Sequence, residues 1–193
     1  MYDILFFIQQ GFFHVLDLGN LDHILFFMVL AVVYRFKAWK KALWLITFFT
    51  LGHSITFGLS VYEYVLVNVE LVEFLIPITI LIPLVLNVYL ALKEIDFKHN
   101  NNNIYFAFFF GLIHGMGFKN YFNILIDKGE DKFIPLVEFS LGIEFAQMVI
   151  VILILSLGHI LIYSFGVKKR NWVIGLSFVV FLRIIPMLIA RIP

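Results

Sequence analysis

Residues 133–165 read FIPLVEFSLGIEFAQMVIVILILSLGHILIYSF. An apolar run this long exceeds the roughly 20 residues that carry an α-helix across a bilayer core, so it reads as a membrane span. Its interruptions are the informative part. Glu144 and Gln147 stand at i, i+3 inside it, where an ionisable side chain is costly and normally persists because it binds or moves something. Comparable runs lie at Ala42 to Tyr62, Leu71 to Leu92, Ile104 to Ile126 and Trp172 to Ile192. Leu21 to Phe36, with its aromatic and basic flank, makes a sixth. The run Ile4 to Leu16 is too short to cross squarely and predicts a short N-terminal helix, tilted, re-entrant or partly exposed. The expected fold is all-α: a polytopic transmembrane bundle of six spans plus that short helix, in one domain over residues 1–193.

Composition agrees. Of the 193 residues, 62% are hydrophobic and 14% charged, 24 are Phe, and the mean hydropathy is +0.99. A soluble domain carries about a quarter of its residues as charges. With no cysteine, disulfides, thiolate metal sites and Cys nucleophiles are excluded, so any metal must bind nitrogen and oxygen. A net charge of +1 leaves no nucleic-acid footprint. Met1-Tyr2-Asp3 lacks a basic n-region and no small-residue cleavage site follows, so this segment is expected to stay as structure and not to act as a signal peptide.

Orientation follows from the basic residues. Arg35, Lys37, Lys40 and Lys41 share one loop, Lys93 and Lys98 the next alternate one, and Lys168, Lys169 and Arg170 the third. These loops are expected in the cytoplasm, which suits an integral protein of a bacterial cytoplasmic membrane. Glu63, Glu70, Glu73, Asp127, Glu130 and Asp131 fall on the opposite side. Trp39, Trp44 and Trp172 read as interfacial anchors on the cytoplasmic side, and Asn100 to Asn103 as a solvated linker.

With that topology, counting at about 1.5 Å per residue brings several polar groups to the outer half of one bundle. They are His14 and Asp17 at the end of the short helix, Asp22 and His23 at the start of an inward-running one, and His53, His114 and Glu144 inside theirs. Neutral imidazole together with carboxylate suits nickel, cobalt, zinc or iron, whereas calcium and magnesium want oxygen alone. Gly52, Gly111, Gly115 and Gly117 flank the histidines and would let helices approach closely. Gly115-Met-Gly117 could also open its helix locally. Bland readings compete: a single intramembrane His can be a satisfied interhelical hydrogen bond, Asp17 and Asp22 can be helix caps, and Glu144 a protonated group bonded to a carbonyl. His99 and His159 read as bystanders, and Asn87 as a packing residue with one polar contact.

The motifs Gly11-Phe-Phe-His14-Val-Leu-Asp17, Leu21-Asp22-His23-Ile-Leu-Phe, Thr50-Leu-Gly-His53-Ser-Ile-Thr56, Phe110-Gly-Leu-Ile-His114-Gly-Met-Gly-Phe118 and Leu141-Gly-Ile-Glu144-Phe-Ala-Gln147 together resemble the HupE/UreJ family of hydrogenase and urease accessory membrane proteins. Because hydrogenase and urease are nickel enzymes, the resemblance implies nickel or cobalt uptake. Nickel and cobalt permeases of this general kind carry a His, a short spacer and an Asp-His pair on one helix. Here His14 and His23 are nine residues apart with Gly19-Asn20 between them, which predicts a helix break.

Three functions follow. The first is a transition-metal permease holding a divalent ion (Ni, Co or Zn) with His14, Asp17, Asp22, His23, His53, His114 and Glu144. The second is an intramembrane metal-dependent hydrolase acting on a lipid or exported peptide, with Glu144 as general base and Ser54 or Gln147 contacting substrate. It would lack an HExxH pair. The third is a non-catalytic membrane subunit that passes metal to a partner membrane or accessory protein. The lipid bilayer and the metal ion are the partners common to all three.

Overall fold

A computed structural model describes residues 4–19, 21–65, 68–95, 103–126 and 131–192. Among them the chain is all-helical, with eight α-helices, a short 3₁₀ turn at Phe36–Ala38 and no strand. The helices are α1 (Ile4–Val15), α2 (Asp22–Ala31), α3 (Trp39–Val61), α4 (Val69–Leu92), α5 (Asn103–Met116), α6 (Lys119–Leu125), α7 (Phe133–Tyr163) and α8 (Lys169–Ala190).

Six spans were expected, but four helical segments have the length and apolarity to cross a bilayer: Phe36–Val61, Val69–Leu92, Phe133–Tyr163 and Lys169–Ala190. The two shortfalls have physical causes. The run from Leu21 is helical only over the 10 residues of α2, about 15 Å against a hydrocarbon core of about 30 Å. Most of α2 is buried, including Leu25, Phe26, Phe27, Val29 and Leu30, so it sits inside protein, where a partial span is tolerated. The run Ile104 to Ile126 breaks into α5 and α6, and the Gly117 N–H closes a turn onto the His114 carbonyl at 3.3 Å. The expected break between His14 and His23 is present, since α1 ends at Val15 and α2 begins at Asp22. The short N-terminal helix is also present, at 12 residues.

Glycines set the two closest helix approaches. On the α3–α5 seam a Cβ at Gly52 would run into the Phe108 carbonyl, one at Gly111 into the Phe49 carbonyl, and one at Gly115 into the His53 carbonyl. On the α1–α7 seam Gly11 meets the Phe139 carbonyl and Gly142 the Ile8 carbonyl. Bare Cα atoms let these backbones touch, so the residues beside the glycines keep a fixed register between helices.

One end of the bundle is basic. Arg35, Glu94 and Lys168 to Arg170 line a cavity of about 830 Å³ there, where Arg170 donates to Glu94 at 2.9 Å. Of the proposed anchors, Trp39 and Trp44 are exposed, whereas Trp172 is buried at 8% exposure with its indole lodged against Gly158. Residues 100–102 of the expected linker lie outside the described residues. Asn103 is no linker residue: it opens α5, is buried, and donates to the Tyr34 hydroxyl oxygen at 3.2 Å.

Candidate metal centre

Four helices each deliver one imidazole to the same place. His14 comes from the last turn of α1 and His114 from the last turn of α5. His23 is the second residue of α2, and His53 lies on α3. His23 is the hub, with ring centroids 5.2 Å from His14, 6.0 Å from His53 and 5.6 Å from His114. The glycine seam fixes two of the four, because Gly111 and Gly115 pack on the backbone of Phe49 and His53.

Aromatic rings surround the cluster. Phe118 lies 4.0 Å from the His14 ring, Phe49 5.3 Å from His114, Phe26 5.6 Å from His114 and Phe57 5.8 Å from His53. His53 is fully buried, and His23 and His114 nearly so. Phe118 and Tyr121, at the break and on α6, flank His14.

In this apolar shell the histidine nitrogens have almost nothing to bond. Nε2 of His14, both nitrogens of His23, both of His53 and Nε2 of His114 are buried and have no hydrogen-bond partner in the protein. Each such group costs about 1–3 kcal/mol, and native proteins leave few of them. The exception is informative. His114 Nδ1 lies 2.9 Å from the Phe110 carbonyl oxygen; a carbonyl only accepts, so Nδ1 carries the proton and Nε2 of the neutral ring is a bare lone pair. A metal-ligating imidazole is characteristically tethered in this way through its other nitrogen.

The donor set therefore fits a transition metal that favours imidazole. Metal–nitrogen bonds near 2 Å put two rings on one tetrahedral ion at about 5 Å between centroids, slightly closer than the spacings around His23. Among the described residues, no group of three or more His, Asp or Glu is already arranged as ligands to a single ion.

The carboxylates are engaged by partners outside the imidazole set. Asp22 is buried, and its Oδ2 accepts from Arg191 at 3.1 Å, while its Oδ1 is left without a partner beside the cluster. Asp17 is exposed and accepts from the Gly19 N–H at 2.9 Å, closing a turn after α1. Glu144 accepts from the Thr47 hydroxyl at 2.9 Å. Thr47 precedes His53 by six residues on α3, about 9 Å along the axis towards the basic end. Gln147 accepts from Thr50 at 3.0 Å. Ser54 is half-buried and, as the neighbour of His53, sits about 100° around α3 from it.

Reading the sequence missed Arg191, Thr47 and Thr50. Arg191 gave only a weak signal, as a lone cation near the outer end of the run Trp172 to Ile192. Thr47, Thr50 and His53 gave another: they repeat at three-residue intervals and so share a face of α3. Of the two residues read as bystanders, His99 lies outside the described residues. His159 packs on Tyr163 at 4.5 Å and on Phe36, far along α7 from Glu144, and Asn87 donates to the Val29 carbonyl at 2.7 Å.

Comparison with protein families matches a family model described as HupE / UreJ protein over residues 1–191. Comparison with curated proteins and with solved structures finds no match.

Proposed function

The chain belongs to the HupE/UreJ family, and on that premise we propose that it is a membrane permease for a divalent transition metal of the nickel or cobalt type. The family points to handling of these metals, and the helices are those of an integral membrane protein. The observation that carries the finer reading is the set of imidazoles on four helices, six of whose ring nitrogens are buried without a partner. His14, His23, His53 and His114 hold the ion, and Asp22 lends negative charge beside it. The bundle sits in a bacterial cytoplasmic membrane with its basic end inward. Protons compete for the same lone pairs, so acid weakens the hold.

The hydrolase reading loses support from Glu144. A general base must lie within hydrogen-bond reach of the water it activates, and this carboxylate is engaged by Thr47, about two turns of α3 from the level of His53.

The test is uptake of radioactive nickel into proteoliposomes, with metal analysis of the purified protein, for wild type, His53→Ala and His114→Ala. The permease reading expects saturable uptake that falls in both variants. Stoichiometric metal with no flux in wild type would reject transport in favour of a metal-holding accessory subunit. Absence of bound metal would reject the site itself.

A further inference from the structure

A cation held by the four imidazoles needs a way towards the basic end of the bundle, and the seam between α3 and α7 carries polar groups in that direction. Below His53, Thr50 donates to Gln147 Oε1 at 3.0 Å. One turn further, Thr47 donates to Glu144 Oε1 at 2.9 Å. Along α3 the two hydroxyls are three residues apart, a step of about 4.5 Å towards the basic end. α7 runs the opposite way, with His159 on Phe36 and Leu136 beside Gly58, so the Glu144 side chain reaches back past Gln147 to meet Thr47.

Gln147 is fully buried, yet its Nε2 has no partner. Whichever way the amide is turned, one of its two ends meets Thr50 and the other meets nothing. A purely structural bridge between helices would not need this. Thr50 is itself buried, and Glu144 is half-buried within the long span of α7.

We propose that Thr50–Gln147 and Thr47–Glu144 form an inward transfer path, made of oxygen donors, for the divalent cation that the imidazoles hold. This rests on the permease reading. The chemistry favours movement in that direction. Imidazole suits nickel and cobalt, whereas hydroxyl, amide and carboxylate oxygens hold them more weakly. A conduction pathway needs sites favourable enough to enter and weak enough to leave. The amide and hydroxyl oxygens take the ion first, and the carboxylate then offsets its charge. The hydroxyl protons of Thr47 and Thr50 turn away as their oxygens face the cation.

The experiment compares wild type with Glu144→Gln, Thr47→Val and Gln147→Leu in two assays: Ni²⁺ bound per purified protein in detergent, and the initial rate of Ni²⁺ uptake into proteoliposomes. Bound metal is expected to be unchanged in all three. Uptake is expected to fall about tenfold or more in Glu144→Gln and about fivefold in Thr47→Val, the scale of one charged and one neutral hydrogen-bonding partner. Wild-type uptake in Glu144→Gln would overturn the path and leave the permease reading standing. Loss of bound metal together with uptake would place Glu144 among the ligands of the imidazole site and overturn a separate step. No uptake in wild type would overturn the permease reading and the path with it. Should Glu144→Gln fail to fold, the near-isosteric Thr47→Val decides: unchanged uptake there overturns the path.

Discussion

Two sets of buried polar side chains occupy this bundle, and they are treated differently. On α4, Thr79 donates to the Ile76 carbonyl at 2.6 Å and Asn87 to the Val29 carbonyl at 2.7 Å. Ser60 and Ser140 likewise donate to backbone carbonyls of their own helices. His23, His53 and His114 are comparably buried, yet His53 and His23 bond through neither ring nitrogen. Polar burial by itself is therefore ordinary here. What distinguishes the imidazole cluster is that the fold brings four helices together around six buried ring nitrogens and supplies no partner for them.

The largest expected effect comes from the frame that holds the cluster. Gly111→Val would drive a side chain into the Phe49 carbonyl and should cost about 3 kcal/mol or more, seen as loss of folded, monodisperse protein in detergent. Normal thermal unfolding in that variant would break the link between the α3–α5 seam and the site.

Next comes metal. Ni²⁺ at a hundred times its Kd should stabilise the wild type by about 2.7 kcal/mol, read as a rise in Tm. His23→Ala should abolish the rise and Asn87→Ala should keep it. A rise preserved in His23→Ala would erase the distinction between the two sets.

A smaller effect sharpens the contrast. Asn87→Leu removes a satisfied buried hydrogen bond and should cost about 1–2 kcal/mol without metal. His53→Leu, which removes two partnerless nitrogens, should be close to neutral by the same measure. Equal losses in a denaturation series would mean that His53 is structural. Smallest of all, Arg170→Ala breaks an ion pair whose side chains are 45% and 75% exposed. It should change stability by no more than about 1 kcal/mol and leave metal binding unchanged.

The sequence carried the class of fold and the histidines, because hydropathy and isolated imidazoles in apolar runs are local signals. It also carried the break between His14 and His23, through Gly19-Asn20. The number of crossings was not legible in the same way. Leu21 to Phe36 is as apolar as a span, but apolarity there reflects burial of α2 within protein, and hydropathy does not separate burial in protein from burial in lipid. The division of Ile104 to Ile126 was signalled only by Gly115 and Gly117. The engagement of Asp22 by Arg191 was hidden because the two are 169 residues apart. For Glu144, counting residues gave its depth but not the direction of its side chain, and Thr47 on another helix decides that.

The most direct test of the central claim is X-ray absorption spectroscopy of Ni²⁺-loaded protein, wild type against His23→Ala. An ion ligated by several imidazoles is expected in wild type, with the bound metal lost or the imidazole signal reduced in the variant. A first shell of oxygen alone, or a spectrum that His23→Ala leaves unchanged, would contradict it.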